Sequence, residues 1–231
     1  MKKILLPSLI ISFLFGCSAD ISNSTLETTL QHSGGQSMGD ATSLYWFTDR
    51  LTVPLSAADY VVAGDYGSYK SNYRWENGSV RELIREGEQL RTGAGLVPYK
   101  IHVRFNQQGE AVYQQYRIDG KVLPLKSAML TQLKNEAANV VQKTKAQDKA
   151  GVELIQGYWD GREFETCAGK EFQTLEFNQS LPSFIVDRLA GIDNYVVFVG
   201  SKSGDRLIVE DLLMLKDDNQ SCIERPQILE E

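Results

Sequence analysis

The sequence predicts a mainly β protein of the α+β class, and three patterns along the chain predict it. Residues 43–125 alternate apolar and polar positions between turn signals, the mark of an antiparallel sheet with one wet face. Residues 126–150 switch to helical spacing, and from Val152 onward the expected order is three strands, one helix and two strands.

Within the first region, Tyr69, Tyr73 and Trp75 alternate up to Glu76-Asn77-Gly78, and Val80 to Arg85 returns. Tyr99, Ile101, Val103 and Phe105 share one face of the next strand, which places Lys100, His102 and Arg104 on the wet face. Asn106-Gln107-Gln108-Gly109 turns the chain into Ala111 to Ile118, and Asp119-Gly120 suits a two-residue turn into Lys121 to Leu125. This is a β-meander. Leu130, Leu133, Ala137, Val140, Val141 and Thr144 then fall on one helical stripe, with Gly151 placed to end the helix. A narrow stripe of that kind covers the apolar face of the meander, so residues 42–150 are expected to form one meander-plus-helix domain.

In residues 151–231 the expected strands are Val152 to Trp159, Glu163 to Thr166, Glu171 to Phe177, Tyr195 to Gly200 and Arg206 to Leu215, with a helix from Pro182 to Ala190. Their order is that of a small OB-like five-stranded barrel. Such barrels often hold oligonucleotides or sugars. Here Glu163, Glu165, Glu171 and Glu176 occupy the strands concerned, and the formal net charge is −6, so phosphates are repelled and no nucleic-acid partner is expected. In the last strand Asp211 shares the parity of Leu207, Val209, Leu213 and Leu215. Either a bulge near Glu210-Asp211 re-phases the strand or a carboxylate points inward, which makes Asp211 a candidate functional residue.

At the other end, Lys2 and Lys3 precede an apolar run from Ile4 to Phe15, followed by Gly16-Cys17. The run is shorter than the roughly 20 apolar residues that span a bilayer, and residues 1–16 have the layout of a signal peptide. The segment resembles bacterial lipoprotein signals. That resemblance implies that Cys17 becomes the first residue of the mature chain, carries the lipid and anchors it to a membrane without a spanning helix. Ser18, where an Asp favours inner-membrane retention, implies the outer membrane, facing the periplasm. Residues 17–41, rich in Ser, Thr, Gly and Gln and including His32, read as a flexible tether. Cys167 and Cys222 are then the remaining cysteines. In an oxidising compartment a disulfide is expected, with a metal pair or reactive thiols as the alternatives.

No GxSxG elbow, HExxH, P-loop or dinucleotide fingerprint occurs, so neither a catalytic constellation nor a cofactor or metal site is expected. Asp160, Glu163 and Glu165 carry a residual reading as a carboxylate pair of an envelope hydrolase. Trp46, Tyr69, Tyr73 and Trp75 either pack in the sheet or form an open aromatic face for a ligand.

Through Gly157-Tyr158-Trp159, Phe164, Cys167, Tyr195-Val196, Gly200, Leu207, Val209, Leu213, Leu215 and Cys222, the last third resembles the OB-like C-terminal domain of NlpE-type envelope lipoproteins. No CxxC motif is present in the first half, so that family's copper sensing is not implied. Segments 55–66, Glu110 to Tyr116 and Leu181 to Phe184 resemble the uncharacterised YjaH-like lipoproteins, which implies a family and no activity. The expected function is that of a non-enzymatic outer-membrane lipoprotein, an adaptor or sensor that binds an envelope protein. The alternative is a periplasmic small-ligand or glycan-binding module.

Overall fold

The computed structural model describes residues 29–228. The expected signal peptide, Cys17 and the first part of the expected tether lie outside the described residues. Eight strands form one antiparallel sheet in chain order: β1 (Thr29–Met38), β2 (Ala41–Arg50), β3 (Val53–Ala63), β4 (Gly67–Glu76), β5 (Ser79–Arg91), β6 (Gly95–Phe105), β7 (Ala111–Ile118) and β8 (Lys121–Leu123). Helix α1 (Ser127–Lys149) lies across its inner face.

The expected turns hold. Asn77 and Gly78 have φ values of 52° and 78°, and Asp119 and Gly120 of 49° and 72°, the left-handed pairs that two-residue hairpins with matching twist require. Leu133, Ala137, Val140 and Thr144 are the buried residues of α1. The first three join Tyr45, Phe47, Tyr73, Leu83 and Val103 in one core. Gly151 (φ 75°) stops the helix and donates its N–H to the Asp148 carbonyl at 2.9 Å.

The tether expectation is corrected over residues 29–41, where β1 pairs with β2 along its whole length, from Thr29 opposite Arg50 to Met38 opposite Ala41. Composition misled because the middle of this strand, Gly34 and Gly35, is buried by being small. A Cβ on Gly35 would lie 2.7 Å from the Ser43 carbonyl oxygen, so glycine here permits close approach instead of flexibility. The backbone of Gly35 is held by Gln147 of α1, which accepts from its N–H at 3.0 Å and donates to its carbonyl at 2.7 Å.

The second sheet contains β9 (Glu153–Trp159), β10 (Phe164–Thr166), β11 (Glu171–Phe172), β12 (Thr174–Phe177), β13 (Asn194–Ser203) and β14 (Arg206–Asp217), with α2 (Ser183–Gly191) between β12 and β13. Its order is β11-β10-β9-β13-β14-β12. Only Gln173 separates the two outer strands, so the sheet curls into a nearly closed barrel. It has six strands where five were expected, because the third expected strand is interrupted at Gln173, whose N–H turns to the Asp205 carbonyl at 3.1 Å. Phe164, Phe172, Phe198, Leu207 and Val209 fill the interior. Strand β13 is buried on both sides: Tyr195, Val197 and Val199 leave the barrel and meet Leu44 and the half-buried Trp46 and Tyr60 on the outer face of the meander.

The bulge expected near Asp211 is present. Val199 pairs with Asp211 and Gly200 with Val209, so Glu210 is the extra residue. Cys167 and Cys222 form a disulfide with a Cα–Cα distance of 6.1 Å, which fastens the C-terminal segment to the barrel.

Candidate functional site

Cross-strand pairing on the inner face of the meander brings Tyr45, Asp59, Ser71 and Arg85 into one row over β2 to β5. All four positions have core-facing parity. Asp59 is 2% exposed, Ser71 0% and Arg85 6%. Arg85 donates from Nε to Ser71 Oγ at 2.9 Å and from Nη2 to Tyr73 Oη at 3.0 Å and to Glu136 Oε2 of α1 at 2.7 Å. Tyr73 in turn donates to Asp59 Oδ2 at 2.7 Å, and the guanidinium lies 3.9 Å from the Tyr69 ring centroid.

Two carboxylates therefore face one buried cation. Burial pushes the Asp59 carboxyl above its ordinary range even though Arg85 and the hydrogen bonds pull it down, and Oδ1 takes no hydrogen bond among the described residues. Burial likewise raises Tyr99 to about 12, against the opposing charge of Arg85. Glu136 connects the network to solvent, with a side chain 28% exposed. Beside it, an open groove of about 500 Å³ lies between the end of β1 and the first half of α1, lined by Gln36, Met38, Ala128, Thr131, Gln132, Asn135, Glu136 and Asn139. Gln36 reaches inward to donate to Tyr45 Oη at 2.9 Å, and Gln132 donates to Glu136 Oε1 at 2.8 Å. Met38 and Ala128 set apolar surface beside amide donors and acceptors, with Glu136 of the charge network at the edge.

The expected aromatic candidates do not share a face. Tyr73 (2% exposed) and Trp75 (8%) are core, their ring centroids 6.0 Å apart. Tyr69 covers Arg85 on that same inner side, whereas Trp46 points to the opposite face, at the junction with the barrel. Of the four, Tyr73 and Tyr69 belong to the network through the phenol and ring contacts above. Asp211 lies away from them: burial raises its carboxyl, while the backbone N–H of Ser37 and the charge of Lys143 lower it. Asp160 is a turn cap. Its Oδ1 accepts from the N–H groups of Glu163 and Arg162, each at 2.8 Å, which holds its carboxyl low.

Both histidines depart from expectation. His32 is not in a tether; it stacks on Phe47 with centroids 5.5 Å apart, Nδ1 lying 3.1 Å from Asp148 and Nε2 3.5 Å from Asp49. His102 faces the side that alternation gives it but is 2% exposed, since Tyr113 packs edge-on at 4.9 Å and Glu82 Oε1 stands 2.9 Å from Nε2. Glu82 also receives Arg104 Nε at 2.7 Å and Arg74 Nη2 at 2.8 Å. Burial alone would raise this carboxyl, but the Arg104 and His102 hydrogen bonds and the nearby Arg74 outweigh it and hold it at about 2. A lowered folded value gives stability that is present above 4.5 and lost as pH falls toward 2. In a thermal-unfolding series between those limits, Glu82→Gln is expected to flatten the acid slope; an unchanged slope would contradict this.

Among the described residues, no group of His, Cys, Asp and Glu is placed to hold a metal, and no helix is long and apolar enough to cross a membrane. A family model described as "Protein of unknown function (DUF1481)" matches residues 33–227. No curated protein and no solved structure matches the chain.

Proposed function

Because the chain belongs to the DUF1481 family, whose description assigns no function, we propose from its own residues that it is a non-enzymatic lipoprotein of the bacterial outer membrane. It faces the periplasm and acts by binding an envelope protein, as an adaptor or sensor. The Cys167–Cys222 disulfide carries this reading, because structural disulfides persist in oxidising compartments, which is where the Lys2-to-Cys17 signal would deliver the chain.

The finer fold reading supports it. Strand β12 pairs parallel to β14 while the other pairings of that sheet are antiparallel, and α2 follows β12, which supports the OB-like barrel that the NlpE-type resemblance implies. With β1 starting at Thr29, residues 17–28 span at most about 40 Å when fully extended, so the folded part works close to the membrane. The groove beside Glu136, with amides next to Met38 and Ala128, favours the second reading, a small-ligand or glycan module. The hydrolase reading loses support, since Asp160 Oδ1 is committed to its turn.

Replacing Cys17 with alanine is expected to move the protein from the membrane fraction to the soluble periplasmic fraction. Continued membrane association would overturn the anchor.

A further inference from the structure

We propose that the outer face of β2 to β4 is a peptide-binding groove, occupied in cis by the chain's own C-terminal residues 224–228, whose partner is an extended segment of another protein. This deepens the binding reading above by giving it a surface and a class of partner.

The chain after β14 is fastened in two stages. Up to Ile223 it belongs to the barrel: Cys222 is bridged to Cys167, and Gln156 takes both backbone groups of Ile223, accepting from its N–H and donating to its carbonyl, each at 3.0 Å. Beyond that point the segment crosses onto the meander without forming a strand. There Asn72 repeats the same device. Its Nδ2 donates to the Pro226 carbonyl at 2.8 Å, and its Oδ1 accepts from the Ile228 N–H at 2.7 Å. One side-chain amide thus reads a carbonyl and an N–H two residues apart, as a neighbouring strand would, and backbone recognition of this kind does not depend on the peptide's sequence.

The present occupant is seated only in part: Pro226 is buried and Arg225 and Ile228 are half-buried, while Glu224 and Gln227 are exposed. Among the described residues, clefts of about 400 Å³ beside Ile228 and about 610 Å³ along residues 220–228 flank it. Arg225 is half-buried and donates from Nη1 to Thr48 Oγ1 at 2.7 Å and from Nη2 to Ser56 Oγ at 2.9 Å. Those hydroxyls are direct cross-strand neighbours, and among the described residues no carboxylate pairs with the guanidinium. A cation desolvated against two neutral hydroxyls is penalised, and burial lowers its pKa accordingly. A partner segment with a neutral hydrogen-bonding residue at that place and an apolar residue three places later would make the same contacts without the penalty. The attached segment still holds the site at rest, because attachment gives it an effective concentration of the order of millimolar.

The test uses the full chain with its disulfide intact and two labelled peptides, one with the sequence of residues 223–231 and one carrying Arg225→Gln. In protein bearing Arg225→Ala and Ile228→Ala, which loosens the attached segment and leaves the groove unaltered, saturable binding is expected at least tenfold tighter than in the unaltered chain. Adding Asn72→Ala is expected to weaken it at least tenfold, and the Arg225→Gln peptide to bind several-fold tighter than its parent. No binding to a variant that still unfolds cooperatively, or binding indifferent to Asn72, would overturn the proposal. So would concentration-dependent dimers abolished by Asn72→Ala, which assign the groove to a second copy. Should the double variant fail to fold, hydrogen exchange of the unaltered chain decides: the Ile228 amide is expected to exchange at least tenfold faster than core amides of β5, and exchange only through global unfolding would overturn it. These readouts do not involve Cys17, so they fail separately from the membrane reading.

Discussion

Replacing Arg85 with alanine is expected to lower the unfolding free energy by about 3–5 kcal/mol, the usual cost of removing one partner from a buried ion pair. In a chain of this size that is a fall in midpoint of about 6–20 °C. The cause is what the substitution leaves behind. Asp59 is 2% exposed and already lacks a hydrogen bond on Oδ1 among the described residues. Without the guanidinium it loses its nearby positive charge, Glu136 loses a 2.7 Å partner, and Tyr69 faces a void where the cation lay. The deficit also has a sign in pH. Burial raises the Asp59 carboxyl in the folded state, and a raised carboxyl favours folding at low pH and loses that contribution as pH rises above 3.8. Removing Arg85 raises it further, so the deficit is expected to shrink as pH is lowered toward 3.8. Combining Asp59→Asn with Arg85→Met removes both charges and is expected to recover part of the loss. A single-variant loss below about 1 kcal/mol by urea unfolding would contradict the network's role.

The Cys167→Ser and Cys222→Ser pair is expected to cost about 4 kcal/mol, the chain-entropy figure for a loop of this length. The bridge spans 55 residues and closes β11, β12, α2, β13 and β14 into one loop. It also fixes the point from which the terminal segment leaves for the meander, so hydrogen exchange at Ile223 and Ile228 should rise in the variant well before the barrel core loosens. A loss under about 1 kcal/mol, with unchanged protection at Ile223, would mean that the Gln156 and Tyr158 hydrogen bonds hold the segment unaided.

How much of this is legible in the sequence depends on which force sets each element. Helix α1 was expected at 126–150 and runs from Ser127 to Lys149, because a stripe of apolar residues and a terminal glycine act locally. The Asn77-Gly78 and Asp119-Gly120 turns were legible for the same reason. Strand β1 was not. Ser33 to Ser37 holds no apolar residue, and its burial comes from the absence of side chains where Gln147, Ser43 and Leu213 approach. For the candidate site, a signal was present and went unused: Asp59 between Ala57 and Val61, and Arg85 beside Leu83, break an apolar parity as Asp211 does. That the two meet across Ser71, and that Glu136 arrives from a helix about fifty positions later, is fixed only by register and docking. Alternation set the face of His102 correctly. Its burial depends on Tyr113 and Glu82 from neighbouring strands, which periodicity does not report.

The proposed anchor and binding role are tested most directly by crosslinking in living cells, comparing the unaltered chain with Cys17→Ala and identifying attached species by mass spectrometry. The expected result is one discrete envelope protein captured by the anchored form and absent from the released form. No adduct, or the same adduct from both forms, would contradict an adaptor that depends on its anchor.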